Sequence, residues 1–433
     1  MSKPLNELSA TEVADAIATG ATTSEAVVAA CLDRIAARNV SVNAWVTVDG
    51  EKALSEARSL DRSPRRSRLH GVPVGIKDVI DTSDYRTQYN SPIYNGYQPK
   101  ADASCVALLK RAGCVILGKT VTTEFANIHP AQTRNPWNVE HTPGGSSSGS
   151  AAAVADRMVP ISLGTQTAGS TIRPAAYCGI FAIKPSFGSV NRTGIKPLAE
   201  SLDTVGIFAR SLEDLEATSE VLSSRQPAQL VERTPRVGFA RTRNWGLLDR
   251  TVQDAASEFI QLLERAGATV HDVQLDPTVE DLSVDHATIM GFESARALAW
   301  EYDNFSAQLS PALLKRLYAG WSVSREDYDR ILRKAGEGRQ SLSEVFHQYD
   351  VLITPSAAGA APLVTSTGDS IFNRGWTLLG NPCVALPFRK PIKGLPIGLQ
   401  LVGAVDGDMA LIAWAKWVQR NVAPLAGQVE MQL

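Results

Sequence analysis

Cysteine and histidine are scarce in this chain of 433 residues, which has five cysteines and six histidines. The cysteines are scattered, form no Cys-x-x-Cys motif and have no histidine at the spacing of zinc ligands. Isolated cysteines of this kind are typical of reduced, buried thiols in a cytoplasmic protein. We therefore predict a cytoplasmic protein with no metal site, and we expect no cofactor.

Long apolar runs and an excess of charge are also missing. No segment approaches the length of a membrane span, and the first residues, MSKPLNELSATEV, lack the apolar core of a signal peptide. A net charge of −2 gives no general attraction to nucleic acid or to anionic membranes. We therefore expect a small-molecule substrate, no nucleic-acid partner and no membrane association.

The sequence does contain alternating strand and helix patterns, which predict a layered α/β domain with a largely parallel sheet. Ser9 and Glu12 fit a helix capping box, and a helix is predicted over 103–112 between Asp102 as cap and Gly113 as stop. We predict one domain over residues 1–433. Its parts are N-terminal helices in 1–60, a core in 70–225, a helical insertion at about 276–348 and a C-terminal part of the core in 350–420.

The stretch 140–186 is the most unusual part of the chain. It holds two Gly/Ser-dense patches, GGSSSGSAAAVA from Gly144 and GTQTAGSTIRPAA from Gly164, on either side of the apolar run MVPISL. A flexible linker would have polar flanks, whereas these patches adjoin segments that favour burial. Glycines in such a setting indicate backbone in close approach to another group. We therefore place the chemistry here.

The serines in these patches need a base if one of them is a nucleophile. His141 is the one histidine near the patches, and a GxSxG elbow and a complete Walker motif are absent. A lysine can serve instead if burial removes its charge. Lys77 in VGIKDVID directly follows an apolar strand, so it is the second candidate beside His141.

Several ordered motifs together resemble the amidase signature family of serine hydrolases, from about residue 5 to residue 420. They are GVPVGIKD, GKTVTTEFA, RNPWN, TPGGSSSGSAAAVA, GTQTAGSTIRPAAYCGIFAIKPS, SLDTVG and GLPIGLQLVG. The resemblance implies an α/β fold with a large mixed, mostly parallel sheet, helices on both of its faces, and a helical insertion.

The resemblance also implies a catalytic set of Lys77, Ser146 and Ser170, with a cis peptide bond before Ser146. In this scheme neutral Lys77 takes a proton from Ser146, which takes one from Ser170, so that Ser170 Oγ attacks the amide carbonyl. Ser147 is the alternative relay. The resemblance further implies an oxyanion hole formed by the backbone N–H groups of Thr167, Ala168, Gly169 and Ser170.

Substrate contacts are assigned to five residues at family positions: Arg173, Tyr89, Asn90, Gly145 and Gln166. The loop TQTAGSTIRP departs from the common family pattern TDTGGSIR and is similar to malonamidase-like members. Arg173 therefore has two interpretations. It binds a substrate carboxylate, or it ties the turn to an acidic neighbour.

Three functions fit the motifs. The first is a stand-alone amidohydrolase, acting as a homodimer, that cleaves a small amide to a carboxylate and ammonia or an amine. The second is the ammonia-donating half, or A subunit, of a tRNA-dependent amidotransferase, which passes the ammonia to a partner. The third is a non-catalytic protein that binds an anion. The segments SLDTVG and AGSTIRP favour the first.

Overall fold

A computed structural model describes residues 3–229, 231–392 and 394–426 of the chain. Within these ranges the strands form a single eleven-stranded sheet. The strands are β1 (Trp45–Val48), β2 (Pro73–Lys77), β3 (Val115–Thr120), β4 (Ile161–Gln166), β5 (Phe181–Lys184), β6 (Thr204–Ala209), β7 (Arg236–Phe239), β8 (Thr269–Asp272), β9 (Val351–Pro355), β10 (Cys383–Ile392) and β11 (Leu395–Val402).

Fourteen α-helices flank the sheet in the same described ranges. They are α1 (Ala10–Ala18), α2 (Ser24–Val42), α3 (Gly50–Asp61), α4 (Ser104–Ala112), α5 (Ser148–Ala155), α6 (Ile172–Cys178), α7 (Leu212–Ser223), α8 (Arg250–Arg265), α9 (Pro277–Ala297), α10 (Ala299–Phe305), α11 (Pro311–Trp321), α12 (Arg325–Gln348), α13 (Ile371–Leu379) and α14 (Asp408–Val422). None of them, as far as they are described, is long and apolar enough to cross a membrane.

The expected large mixed sheet is present, with the order β1-β3-β2-β4-β6-β5-β10-β11-β9-β7-β8. Four pairings are parallel, β2 with β3 and β4, and β7 with β8 and β9. The other six pairings are antiparallel, so parallel pairing is less extensive than the alternating pattern predicts. One reason is the short connection from β10 to β11, which permits only an antiparallel pair.

The middle of the sheet brings the two motif regions together. Strands β2 and β4 are buried along their whole length and pair in parallel, with Val74 opposite Ile161 and Ile76 opposite Leu163. The carboxyl ends of parallel neighbours lie at the same edge of a sheet. Lys77 ends β2 and Gln166 ends β4, so the residues that follow both strands meet at this edge.

Helices α9 to α12 fill most of 276–348, the region where the helical insertion is expected. Serine caps mark two of these helices, because Ser310 accepts a hydrogen bond from Leu313 N and Ser324 accepts one from Asp327 N. Helices α9 and α11 pack closely, since a Cβ built on Gly320 would lie 2.0 Å from the carbonyl oxygen of Gly291. The insertion is therefore packed tightly onto itself next to the edge described above.

Two of the predicted helix ends are found in the structure. The Ser9–Glu12 capping box forms, and Gly113 ends α4 with a positive φ of 90°. The prediction that Asp102 caps α4 is wrong, because its carboxylate instead accepts hydrogen bonds from Ser83 N and from Lys110. Lys110, in the last turn of α4, and the backbone of Ser83 occupy the carboxylate that would otherwise cap the helix.

Gly149 gives a test of the packing beneath the site. A Cβ at this position in α5 would lie 2.2 Å from Ala44 O and 2.3 Å from Val121 N. Because both atoms belong to the backbone, Gly149→Ala should lower the free energy of unfolding by at least about 1–3 kcal/mol in a denaturant titration. The control is Gly336→Ala in α12, where nothing lies within 4 Å, and a gain of about 0.5–1 kcal/mol is expected. Equal effects at the two positions would contradict this packing.

Candidate active site

Lys77 is unusual for a charged residue, because its side chain is completely buried. Its Nζ lies 2.7 Å from Ser146 Oγ and 2.7 Å from Thr165 Oγ1. In the described part of the chain no carboxylate forms an ion pair with it. Burial lowers the pKa of Lys77 well below its ordinary value, against a weaker opposing effect of the Asp203 charge. A neutral amine can donate to Thr165 while its lone pair accepts a proton from Ser146.

Ser146 follows a cis peptide bond with Gly145, as the resemblance implies. It is the one serine of the GGSSSGS run that contacts Lys77 within the described structure. The three other hydroxyls donate to backbone carbonyls, Ser147 to Thr165 at 3.1 Å, Ser148 to Gly144 at 2.8 Å and Ser150 to Leu163 at 2.9 Å. The geometry therefore favours Ser146 over Ser147 as the partner of the lysine.

Ser170 lies in the loop between β4 and α6, only 7% exposed, at the wall of a cavity of about 780 Å³. No hydrogen bond joins its hydroxyl to Ser146 in the described residues, and such contacts commonly form only once substrate is bound. The backbone N–H groups of the four predicted oxyanion-hole residues, Thr167 to Ser170, donate to no other group in the same ranges. Four unused donors beside a serine suit a developing oxyanion.

Gln166 holds this loop in place. Its side chain is fully buried, and Oε1 accepts hydrogen bonds from Thr171 N at 2.9 Å and Ile172 N at 3.1 Å, while Nε2 donates to Thr377 at 3.0 Å. It thereby satisfies the backbone amides of Thr171 and Ile172 at the start of α6. The backbone amides of Thr167 to Ser170, just before them, have no partner in the described residues. Both polar atoms of Gln166 already have partners, and its contact with substrate stays a prediction.

Tyr89 and Asn90, also predicted to contact substrate, do not line the cavity at Ser170. Tyr89 is buried, with its hydroxyl 3.3 Å from an Asp81 oxygen and its ring against Tyr94. Asn90 is exposed and borders a separate cavity of about 370 Å³ near Ser310. Their roles in substrate binding stay predictions.

Arg173 lies in α6, buried, and borders the same cavity as Ser170. Its Nη2 donates to the carbonyl oxygen of Gly145 at 2.6 Å, while its Nε has no partner in the described structure. Burial lowers the pKa of its guanidinium. The structural tie therefore exists, but to the backbone of Gly145 rather than to an acidic neighbour. Contact of Arg173 or Gly145 with substrate stays a prediction.

Several residues at this site are not identified from the sequence. Asp203 accepts from Thr167 Oγ1 at 2.5 Å, and His286 Nε2 lies 2.8 Å from the carbonyl oxygen of Thr167. Burial lowers the pKa of His286 to about 3, so its ring is neutral at pH 7. Asp203 lies in the SLDTVG motif, which marks it out as a residue of interest. His286 comes from the insertion, where no motif points to it.

His141, the other candidate base, has a different position. Its Nδ1 lies 2.7 Å from the carbonyl oxygen of Ala361, and it contacts neither Lys77 nor Ser170. Among the described residues, no three His, Cys, Asp or Glu side chains come together in a way that could hold a metal ion. Lys77, Ser146 and Ser170 offer a buried amine and two hydroxyls.

Solved amidases have the same fold. One crystal structure of an amidase matches with a TM-score of 0.88 and 29% identity, covering 96% of this chain and 100% of that one. The native peptide amidase from Stenotrophomonas maltophilia matches with a TM-score of 0.82 and 28% identity, covering 96% and 98%. The chain is thus an enzyme of the amidase class, which acts on carbon–nitrogen bonds. The sequence profile of the Amidase family matches residues 26–412, and the chain belongs to this family.

Curated relatives carry a more specific name. The A subunit of the glutamyl-tRNA(Gln) amidotransferase from Desulforapulum autotrophicum is 31% identical, with 98% of this chain and 99% of the relative covered. The protein of the same name from Roseiflexus castenholzii is 33% identical, with 96% of both covered. The expectation of no nucleic-acid partner is contradicted by these relatives, whose name links them to a tRNA. That expectation rested on the net charge of −2, and net charge alone does not identify the partners of a protein.

Lys77 gives a test that needs no substrate. Burial lowers the pKa of Lys77 below that of the unfolded chain, so folding penalises the protonated form of this lysine. That cost disappears as pH rises toward the unfolded value, so Lys77 makes stability rise with pH, by up to about 1.4 kcal/mol per pH unit. Lys77→Met should remove this rise and increase the free energy of unfolding at pH 7. The control is Lys100→Met, at an exposed lysine, which should leave the pH dependence of the free energy of unfolding as it is in the wild type. The same unchanged pH dependence in Lys77→Met would contradict a buried neutral amine.

Proposed function

We propose that the chain releases ammonia from a carboxamide through an acyl intermediate on Ser170, as the ammonia-donating half of a tRNA-dependent amidotransferase. The observation that carries the chemistry is the contact between buried Lys77 Nζ and Ser146 Oγ at 2.7 Å. Desolvation of this kind favours the neutral form of an amine, and a neutral amine can take a proton. No other lysine or histidine near Ser170 has such a serine partner among the described residues.

In the catalytic cycle, protons move through Ser146 first toward Lys77 and then back toward the substrate. Lys77 accepts a proton through Ser146, and Ser170 Oγ attacks the carbonyl carbon of the amide. The negative oxygen that forms is stabilised by the free N–H groups of the Thr167–Ser170 loop. Return of the proton through Ser146 to the amide nitrogen breaks the carbon–nitrogen bond and releases ammonia. Water then attacks the acyl group by the same route and restores Ser170.

The destination of the ammonia separates the two leading functions. The relatives named as amidotransferase subunits match almost end to end, which favours transfer of the ammonia to a partner over the stand-alone hydrolysis expected from the motifs. This function is also compatible with the low net charge of the chain, because partner subunits can make the contacts to tRNA.

A stand-alone amidohydrolase is the second candidate. It is supported by the solved amidases of the same fold and by Gln166 and Ala168, which depart from the common loop pattern. The same residues would catalyse the reaction, and water would be the final acceptor of the acyl group with ammonia lost to solvent.

Amide cleavage by the purified chain, measured as the carboxylate product, distinguishes these functions. An ammonia-donating subunit should cleave its amide slowly alone and at least about ten times faster when its partner subunits and aminoacyl-tRNA are added, while little free ammonia accumulates because the partner consumes it. Full turnover by the chain alone, unchanged by partners from the same source, would support the stand-alone hydrolase instead.

Serine variants test the assigned roles. Ser170→Ala should reduce kcat/KM by at least about 1,000-fold and abolish the acyl-enzyme seen by mass spectrometry after acid quenching. Ser146→Ala should cause a similar loss, because the lysine then has no relay. Ser147→Ala is the matched control and should lose less than about ten-fold, since its hydroxyl bonds only to Thr165. A greater loss in Ser147→Ala than in Ser146→Ala would exchange their roles.

A further inference from the structure

We propose that a cavity lined by arginines, remote from Ser170, binds a small organic phosphate, with the phosphate group against Arg34, Arg38 and Arg157 and the apolar part against Trp137. This arginine cavity has a volume of about 370 Å³ and shares no lining residue with the cavity at Ser170. The inference goes beyond the proposed amide cleavage and does not depend on it.

The arginine cavity lies at the edge of the sheet opposite the catalytic one. β4 and β5 both begin beside Ala209, the last residue of β6. Arg210, which follows it, and Phe181, which begins β5, border the cavity. Helices α5 and α6 begin just after the catalytic serines and end at this opposite edge. The whole length of β4 therefore separates the arginine cavity from the loop of Ser170.

Arginine dominates the charge of this lining. In the described structure four of the bordering residues are arginines, Arg34, Arg38, Arg157 and Arg210, and one is a carboxylate, Asp156. Arg34 Nη2 lies 2.6 Å from one oxygen of Asp156, and Arg38 Nη2 lies 2.9 Å from the other. Because two guanidiniums share a single carboxylate, this pair of arginines retains one positive charge that Asp156 does not neutralise.

The other two arginines differ in how they are held. Arg157 Nη1 lies 3.3 Å from Glu7, and the two side chains are 52% and 33% exposed, so solvent screens this pair. Both Nη atoms of Arg210 donate to backbone carbonyls at 2.7 to 3.3 Å. Burial lowers the pKa of Arg210, and the charge of Asp214 partly opposes this effect. Arg210 is therefore fixed by the backbone, whereas Arg157 is available to a ligand.

The helix ends at this edge do not cancel the positive charge. The carboxyl end of a helix is partly negative because its last carbonyls lack partners within the helix. At the end of α5 the carbonyls of Val154 and Asp156 accept from arginine side chains at 3.3 and 2.8 Å. At the end of α6 the Cys178 carbonyl accepts from Trp137 Nε1 at 2.9 Å. These carbonyls are occupied, so the guanidiniums determine which charge the cavity attracts.

Unused N–H groups remain on the three more exposed arginines. Nη1 of Arg34, Nη1 of Arg38, and Nε and Nη2 of Arg157 form no hydrogen bond among the described residues. Planar guanidiniums bind phosphate through paired N–H groups. A phosphate monoester has three terminal oxygens, one for each of these arginines, whereas a carboxylate has two. The number of free donors therefore favours a phosphate group.

The remainder of the lining fits an apolar group. Pro136, Ile180 and Pro387 border the cavity together with Trp137, which is 38% exposed. An exposed indole offers a surface against which a planar group can stack. A volume of about 370 Å³ lies within the roughly 300–1,000 Å³ of small-molecule sites and leaves room beside a phosphate. The lining therefore favours an organic phosphate over inorganic phosphate.

Calorimetric titration with phenyl phosphate tests this site on the purified chain. Inorganic phosphate and benzyl alcohol supply the charged part and the apolar part separately, and each should bind at least about ten-fold more weakly. The affinity for phenyl phosphate should fall as salt is added, because salt screens the arginines. A single-stranded RNA oligonucleotide tests the other source of phosphate. Binding of RNA without binding of phenyl phosphate would overturn a small-molecule site.

Variants assign the binding to the arginine cavity. Arg38→Gln and Arg157→Gln should each weaken the binding of phenyl phosphate by about ten-fold or more. Arg157→Gln changes a half-exposed side chain, so it should leave the thermal unfolding midpoint unchanged. Trp137→Ala should weaken the binding of phenyl phosphate but not that of inorganic phosphate. The control is Arg250→Gln, at a side chain that is 84% exposed on α8, which should bind phenyl phosphate like the wild type.

Arg316→Gln decides between the two cavities, because Arg316 borders the cavity at Ser170. Phenyl phosphate should bind this variant as it binds the wild type. Loss of binding in Arg316→Gln, with binding kept in Arg38→Gln and Arg157→Gln, would place the ligand at Ser170 and overturn the proposal. Equal affinity for phenyl phosphate and benzyl alcohol would also overturn it. None of these measurements needs amide cleavage, so failure of the proposed function would leave the result for this site unchanged.

Discussion

The site depends on a lysine buried without a carboxylate partner among the described residues. Removing Lys77 from water at the end of β2 penalises its charged form, and two hydroxyls, Ser146 and Thr165, are placed to hydrogen-bond the neutral amine instead. An ion pair in the same place would favour the charged form of the lysine, which cannot act as the proposed base. Parallel pairing of β2 and β4 is what makes this possible, since it carries Lys77 and Thr165 to one edge of the sheet.

The loop after β4 depends in turn on groups that support it from behind. Gln166 takes up the two amides that follow the loop, Asp203 holds the Thr167 hydroxyl, and a neutral His286 contacts the Thr167 carbonyl. Together they fix a short segment whose own N–H groups stay free. Preorganised donors of this kind need no rearrangement when negative charge develops on the substrate.

The sequence predicts the parts of the site that lie in motifs, and misses the parts that come from a distance. Lys77, Ser146 and Ser170 follow from ordered segments. Thr165 and Gln166 lie in the same segments, but only their burial shows that one contacts the lysine and the other supports the loop. Residues from the insertion and α13 leave no local pattern, because tertiary packing alone brings His286, Arg316 and Arg374 to the cavity.

For the fold, the positions of the strands and helices along the chain are largely predictable from the sequence. Strand direction was not, since pairing partners such as β5 and β10 are about 200 residues apart.

The relatives bear on the proposed fate of the ammonia. Its release in the proposed cycle requires a neutral Lys77, whichever acceptor follows. The most direct measurement is a ¹⁵N NMR titration of the lysine Nζ groups, with the Lys77 resonance assigned by its loss in Lys77→Met. The account predicts an amine that titrates well below the ordinary lysine range and is neutral at pH 7. A Lys77 amine that stays protonated across neutral pH would contradict it.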